Sequence, residues 1–291
     1  MTRGIGMSFT IAVKFSREWC LEPFFRAFNK LKFDRKDCNL ILINNTDNKY
    51  ITYAFSSGLK TPFIKNPEEF LSYQIIQTDN PHFERYDVRN FHNVPAPFHA
   101  WSAYYSFGMH ELIAKNTKDN IHIQLEDDTI PPPETINSLV RILEENKDCV
   151  MSAVACPQRE KGMATVGHNA YDEVILDEGF LVRRKNTPVY REGIKEIVAT
   201  GYHAVAFRKD PFLDAIRYIK DLGVRIIGSG SDVYFTHYLS QMKGKILCDF
   251  SLWCDHLHFK DGKIEAYTVD NCKPWLHVWN PKRNKYDYNF I

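Results

Sequence analysis

Asn39-Leu40-Ile41-Leu42-Ile43 is a nearly unbroken apolar run that ends in Asn44-Asn45-Thr46-Asp47. A strand apolar on both sides must be covered on both sides, which is the condition of a central parallel sheet, and the polar end marks its carboxyl edge. Upstream, Phe9, Ile11 and Val13 alternate with small or polar neighbours, and Leu21, Phe24, Phe25, Phe28 and Leu31 then fall at helical spacing. The chain therefore opens β-α-β. Downstream, Pro62, Pro67, Pro81, Pro95 and Pro97 interrupt every pattern in 50–98 except a short helix predicted near 67–73. The proline-free stretch 99–115 reads as a helix leading into a third strand, Ile121-His122-Ile123-Gln124-Leu125, which stops at Glu126-Asp127-Asp128.

Three prolines at 131–133 then open a helix with Ile136, Leu139, Val140 and Leu143 on one face. A strand at 149–156, antiparallel hairpins in 157–198, a strand at 203–207, helices at 211–222 and 232–242 and a strand at 245–248 follow. Residues 259–291, rich in aromatics, are expected to form an irregular cover over the site. The class is α/β, Rossmann-like, with a mixed, mainly parallel sheet and helices on both faces. One unit over 1–258 is expected, with halves at about 8–130 and 131–258, and the extension 259–291 beyond it.

Composition narrows the function. Of 291 residues, 37 are Lys or Arg and 36 Asp or Glu, a net charge of +1, so there is no chain-wide field for nucleic acid or an anionic membrane. No apolar run approaches the ~18 residues of a membrane span, and Met1 to Gly6 is too short and polar for a signal peptide. The seven cysteines, an odd number without CxxC spacing, fit free thiols in a reducing compartment. A cytoplasmic address is expected.

Three successive carboxylates after a buried strand repel one another unless a cation or hydrogen-bond donors compensate. Extended chain puts Glu126 and Asp128 on one side and Asp127 on the other. The plainer alternative is a helix entry, with Asp128-Thr129 capping ahead of Pro131. Carboxylate oxygens completed by water and diphosphate oxygens suit Mg²⁺ or Mn²⁺. A second protein ligand is sought in Cys254-Asp255-His256-Leu257-His258; a zinc finger there lacks a second cysteine–histidine pair.

In their order along the chain, the β-α-β opening ending in Asn44-Asn45-Thr46-Asp47, the strand before Glu126-Asp127-Asp128, Gly230-Ser231-Asp232 and His256 resemble a nucleotide-sugar glycosyltransferase of the GT-A fold, similar to glycosyltransferase family 2, over roughly 8–258. The resemblance implies a transferase moving a sugar from a UDP- or GDP-sugar to a hydroxyl of a glycan, protein or modified nucleic acid, with Mn²⁺ or Mg²⁺. It implies donor contacts at Asn45, Thr46, Asp47, Arg89, Glu126 and Asp127. Metal ligands fall at Asp128 and His256, with His258 in reserve. Acceptor contacts fall at Gly201, Tyr202 and Trp253, with Trp275 and Trp279 as further stacking candidates. Asp232 stands where the family has its catalytic base, although Ser231 replaces the usual Glu before it; a base there implies inversion by single displacement, while folds of this type host both inversion and retention. Two other readings stand beside this one: an Mg²⁺-dependent nucleotidyltransferase, and a carbohydrate- or nucleic-acid-binding protein on a degenerate transferase scaffold.

Overall fold

A computed structural model describes residues 8–45, 64–78, 109–158, 166–177, 180–222, 231–280, 282 and 285–290. Strand β1 (Phe9–Phe15) and β2 (Cys38–Asn44) pair in parallel across helix α1 (Leu21–Phe28). Phe24, Phe25 and Phe28 of that helix are buried, each stabilising the fold by about 1.5–3 kcal/mol. Strand β3 (Ser72–Gln77) continues the sheet beyond β2, also in parallel. The short helix expected near 67–73 is therefore corrected to a single 3₁₀ turn, Pro67–Glu69, and a strand. Tyr73 and Ile75 pack on the core at a spacing of two, which is strand periodicity.

Residues 109–116 form helix α2, the described part of the predicted helix at 99–115. Met109 and Ile113 meet Ala12, Ile41 and Ile43 on the sheet face opposite α1. Strand β4 (Ile121–Glu126) lies parallel to β1 on its inner side, with Lys14 opposite Glu126. After β5 (Thr129–Ile130), helix α3 (Thr135–Glu145) buries Ile136, Leu139, Ile142 and Leu143 on the α1 side. Strand β6 (Cys149–Ala155) is followed by the short pair β7 (Pro157–Gln158) and β8 (Gly167–His168), then by the hairpin β9 (Ala170–Asp177) and β10 (Phe180–Asn186).

Strands β11 (Ile194–Ile197), β12 (Ala199–Thr200) and β13 (Ala204–Arg208) precede helices α4 (Lys209–Leu222) and α5 (Ser231–Met242), and β14 (Lys245–Trp253) closes the main sheet. Its order is β11-β14-β6-β13-β4-β1-β2-β3. Strand β13 runs antiparallel to both β4 and β6, β11 runs antiparallel to β14, and the other neighbours are parallel. The sheet is thus mixed and mainly parallel, with α1 and α3 on one face and α2, α4 and α5 on the other.

The C-terminal stretch is ordered where irregular chain was expected. Strand β15 (Asp255–Lys260) pairs with β5 and with β16 (Lys263–Tyr267), while β17 (Trp275–Asn280) and β18 (Lys285–Phe290) extend the hairpin into a second sheet, β12-β9-β10-β17-β18. The alternation that drives this is visible in Trp275 and His277, both buried on one face.

Candidate active site

The carboxyl ends of β4 and β1 meet at the acidic triplet. Asp127 accepts hydrogen bonds from the backbone N–H of Ser16 (2.7 Å) and Arg17 (2.9 Å) and from the Arg17 guanidinium. Its oxygens tie the end of β1 to the end of β4, and it is not among the residues lining the cleft. Arg17 also lies 3.0 Å from Asp128 Oδ2. Burial pushes the Asp127 carboxyl up against the pull of Arg17. Burial would do the same to Asp128, but Arg17 and the His256 hydrogen bond hold it well below the usual carboxylate range.

Asp128 reaches its partner because β5 and β15 pair, with Thr129 opposite His256. His256 Nδ1 lies 2.7 Å from the Pro157 carbonyl oxygen, to which it donates, and Nε2 faces Asp128 Oδ2 at 3.3 Å. An ion bound there would take the Nε2 lone pair and the carboxylate oxygen together. His258, two residues along the same strand, stacks on Tyr267 and is not among the cleft residues.

Glu126 pairs at 2.9 Å with Nδ1 of His203, whose ring lies 4.7 Å from that of His256. Burial opposes charge on both. The His203 charge and hydrogen bond nevertheless bring Glu126 down to about 2, and the surrounding carboxylates raise His203. Ligand atoms of Glu126, Asp128 and His203 lie within 4.8 Å of one another. Two carboxylates with imidazole nitrogen suit a divalent ion such as Mn²⁺, so the residues present fit the ion that the sequence resemblance implies.

On the far side, Asp232 sits in the first turn of α5. One oxygen accepts the N–H of Val233 at 2.9 Å, and a methyl group built on Gly201 would come within 3.1 Å of the other. The N–H of Thr200 donates to Thr236 Oγ1 at 2.9 Å, fastening β12 to α5 and so Gly201 to Asp232. Burial, then the nearby Glu126, raises the Asp232 carboxyl. Asp232, Gly201, Glu126, Asp128 and His256 all line one cleft of about 260 Å³.

The same cleft is lined by residues that sequence reading passed over: Arg17, Gln158, Asn169, Tyr171, Arg184 and His203. Asn169 Oδ1 accepts the Cys156 N–H at 2.8 Å, and this fixes its amide so that Nδ2 is the free donor, without a hydrogen-bond partner among the described residues. Arg184 lies over the Tyr171 ring and donates from Nε to His277 Nδ1 at 3.1 Å. Of these, His203 alone adjoins residues that the resemblance marks, Gly201 and Tyr202.

The remaining candidates lie elsewhere. Tyr202 packs in the core against His110, Phe207 and Phe235. Trp253 donates its indole N–H to the carbonyls of Tyr190 and Phe250, both at 3.1 Å. Trp275 is buried against His277. None of the three is among the residues lining this cleft. Asn45, buried at the end of β2, accepts from Thr78 Oγ1 at 2.9 Å and does not line the cleft. Thr46, Asp47 and Arg89 lie outside the described residues, as does the Trp279 side chain.

No protein-family model and no curated protein matches this sequence. Among solved structures the fold is similar to that of GalNAc-T7 with UDP, GalNAc and Mn²⁺, at TM-score 0.58 and 12% identity over 88% of this chain and 45% of that one. A mannosyltransferase of Pyrobaculum calidifontis in complex with GDP-Man and Mn²⁺ aligns at TM-score 0.47 and 11% identity over 85% of this chain and 56% of that one. S. aureus TarS 1–349 aligns at TM-score 0.45 and 10% identity over 85% and 60%. The chain spans about half the length of these proteins. The architecture is the GT-A fold of glycosyltransferases.

Proposed function

We propose that the chain is a metal-dependent glycosyltransferase that moves a sugar from a nucleoside-diphosphate donor to a hydroxyl acceptor. The observation that carries this reading is the convergence of Glu126, Asp128, His203, Asp232 and His256, from distant parts of the chain, on one cleft. The presence of UDP and Mn²⁺ in GalNAc-T7, which shares the fold, supports a UDP-sugar donor. Asp128 and His256 would hold the ion, next to Glu126 and His203. When bound, a divalent ion neutralises the charge that grows on the departing diphosphate.

Arg17, already seated on two carboxylates, adds a second positive charge at the same end of the cleft. Asp232 faces that end from α5, and its raised pKa makes it the stronger base. As the acceptor oxygen bonds to the anomeric carbon, its proton passes to Asp232 and the bond from that carbon to the diphosphate oxygen breaks. One displacement of this kind inverts the anomeric centre. The Asn169 amide donates to a hydroxyl of the bound sugar and orients it, and Gly201 leaves room beside the base.

Among the described residues no helix is long and apolar enough to cross a membrane. The seven cysteines form no disulfide, which supports a reducing, cytoplasmic setting. A panel of nucleotide sugars read by thermal shift with Mn²⁺ tests the proposal: one donor should raise the melting temperature only with the ion present, and be slowly hydrolysed. A flat response to every donor and nucleotide would favour the binding-protein reading.

A further inference from the structure

Cys156 follows β6 directly, is fully buried, and has no role in the reaction above. Its sulfur, a nitrogen of His203 and a nitrogen of His256 lie within 4.8 Å of one another. His203 also belongs to the set with Glu126 and Asp128, so two donor sets meet at the imidazoles. One side is rich in oxygen, at the end of β4. The other carries sulfur, at the end of β6.

The surroundings hold the sulfur side in place. The Cys156 N–H donates to Asn169 Oδ1 at 2.8 Å, and the Asn169 N–H donates to the Cys156 carbonyl at 3.0 Å. The next carbonyl, that of Pro157, takes the Nδ1 proton of His256, so the nitrogen left for an ion is Nε2, beside Asp128 Oδ2. Mg²⁺ prefers oxygen ligands and has little affinity for such a set. Zn²⁺ and Co²⁺ accept thiolate, imidazole and carboxylate together in four-coordinate geometry.

We propose that Cys156, His203 and His256 form a zinc-type site, its fourth position open to a non-protein ligand, that shares His256 with the ion site of the cleft. Binding releases the thiol proton to solvent as the sulfur–metal bond forms. Because His256 serves one ion at a time, Zn²⁺ on the sulfur side excludes the ion that transfer uses. The inhibition rests on the transferase reading; the site itself does not.

Titration of the chelator-treated full chain with Co²⁺ alone, without nucleotide, tests the site. Wild type should show a thiolate-to-cobalt absorption in the near ultraviolet together with the strong visible bands of tetrahedral Co²⁺, and Zn²⁺ should erase both. Cys156→Ser should lose the near-ultraviolet band and bind Co²⁺ at least about tenfold more weakly, with Mn²⁺ affinity unchanged. Cys272→Ser, a partly exposed thiol outside the set, should keep the band. Cobalt bound without the band, a band that survives in Cys156→Ser, or no cobalt uptake would overturn the proposal. If Cys156→Ser does not fold, ¹¹³Cd NMR of wild type replaces it: a shift for one sulfur and two nitrogens is expected, and a shift without sulfur refutes the site. With no sugar donor present, failure here leaves the transferase reading intact, whereas cobalt binding through Cys156 by a chain that binds no nucleotide sugar defeats that reading alone.

Discussion

The two walls of the cleft are built in opposite ways. At the end of β4 the charged groups are consecutive residues, Glu126 to Asp128, delivered by one buried strand and braced by the turn after β1. The facing wall draws on Gln158, Asn169, Tyr171, Arg184 and Gly201, which no short motif contains. They come together because β9 pairs with β10 and β12, and β10 with β17. One wall is a property of a strand end; the other is a property of register.

That difference assigns different work to each wall, and substitutions should separate the two. Asp128→Ala removes a carboxylate from the end of β4 and should drop metal-stimulated turnover by on the order of 10³-fold, with Mn²⁺ no longer raising the melting temperature in the presence of nucleotide. Retained Mn²⁺ response would remove Asp128 as ligand. Asp232→Asn should keep the metal-dependent donor shift and slow transfer by roughly 10²- to 10⁴-fold. If transfer persists at the wild-type rate, the base lies elsewhere.

The second wall should respond through packing. A methyl group on Gly167 would come within 2.6 Å of the Trp275 ring and 2.9 Å of Asn186 Oδ1. Gly167→Ala is therefore expected to cost about 1–3 kcal/mol in urea unfolding, and an unchanged midpoint would show that β17 is free to shift. Asn169→Ala removes only the cleft-facing donor and one brace of Cys156, so a loss of about tenfold in kcat/KM is expected, with nucleotide affinity kept. Equal losses in nucleotide binding would place Asn169 with the first wall.

The smallest effect concerns pH. Burial lowers His110 and His122 to about 3 and His168 to about 4. The unfolded chain takes up these protons near pH ~6.5, whereas the folded chain refuses them until far lower pH, so unfolding consumes protons. Their contribution is complete above about pH 6.5 and declines as pH falls towards 4. The urea midpoint should drop over that interval, and His168→Gln should flatten the drop; a midpoint independent of pH would contradict it.

Much of the first wall was legible because its signals are local. An apolar run followed by three acids reads as a strand leaving the core whatever lies around it, and Asp232 and His256 also stood at readable strand and helix ends. The aromatic residues are ambiguous in sequence for a physical reason. Tyr202, Trp253 and Trp275 offer the same surface to a sugar or to a core, and only their neighbours decide which. Arg184 looks solvated in sequence, yet cross-strand pairing sets it beside His277.

The sequence by itself determined the alternating α/β order, the strand ends that carry acids, and the absence of any chain-wide charge, since each depends on neighbours in the chain. Tertiary structure alone decided that Asp127 braces the turn after β1 while Asp128 meets His256, that His203 joins them, and that a second sheet supplies the opposite wall. Those outcomes depend on hydrogen-bond register between segments more than a hundred residues apart, and side-chain chemistry does not encode register.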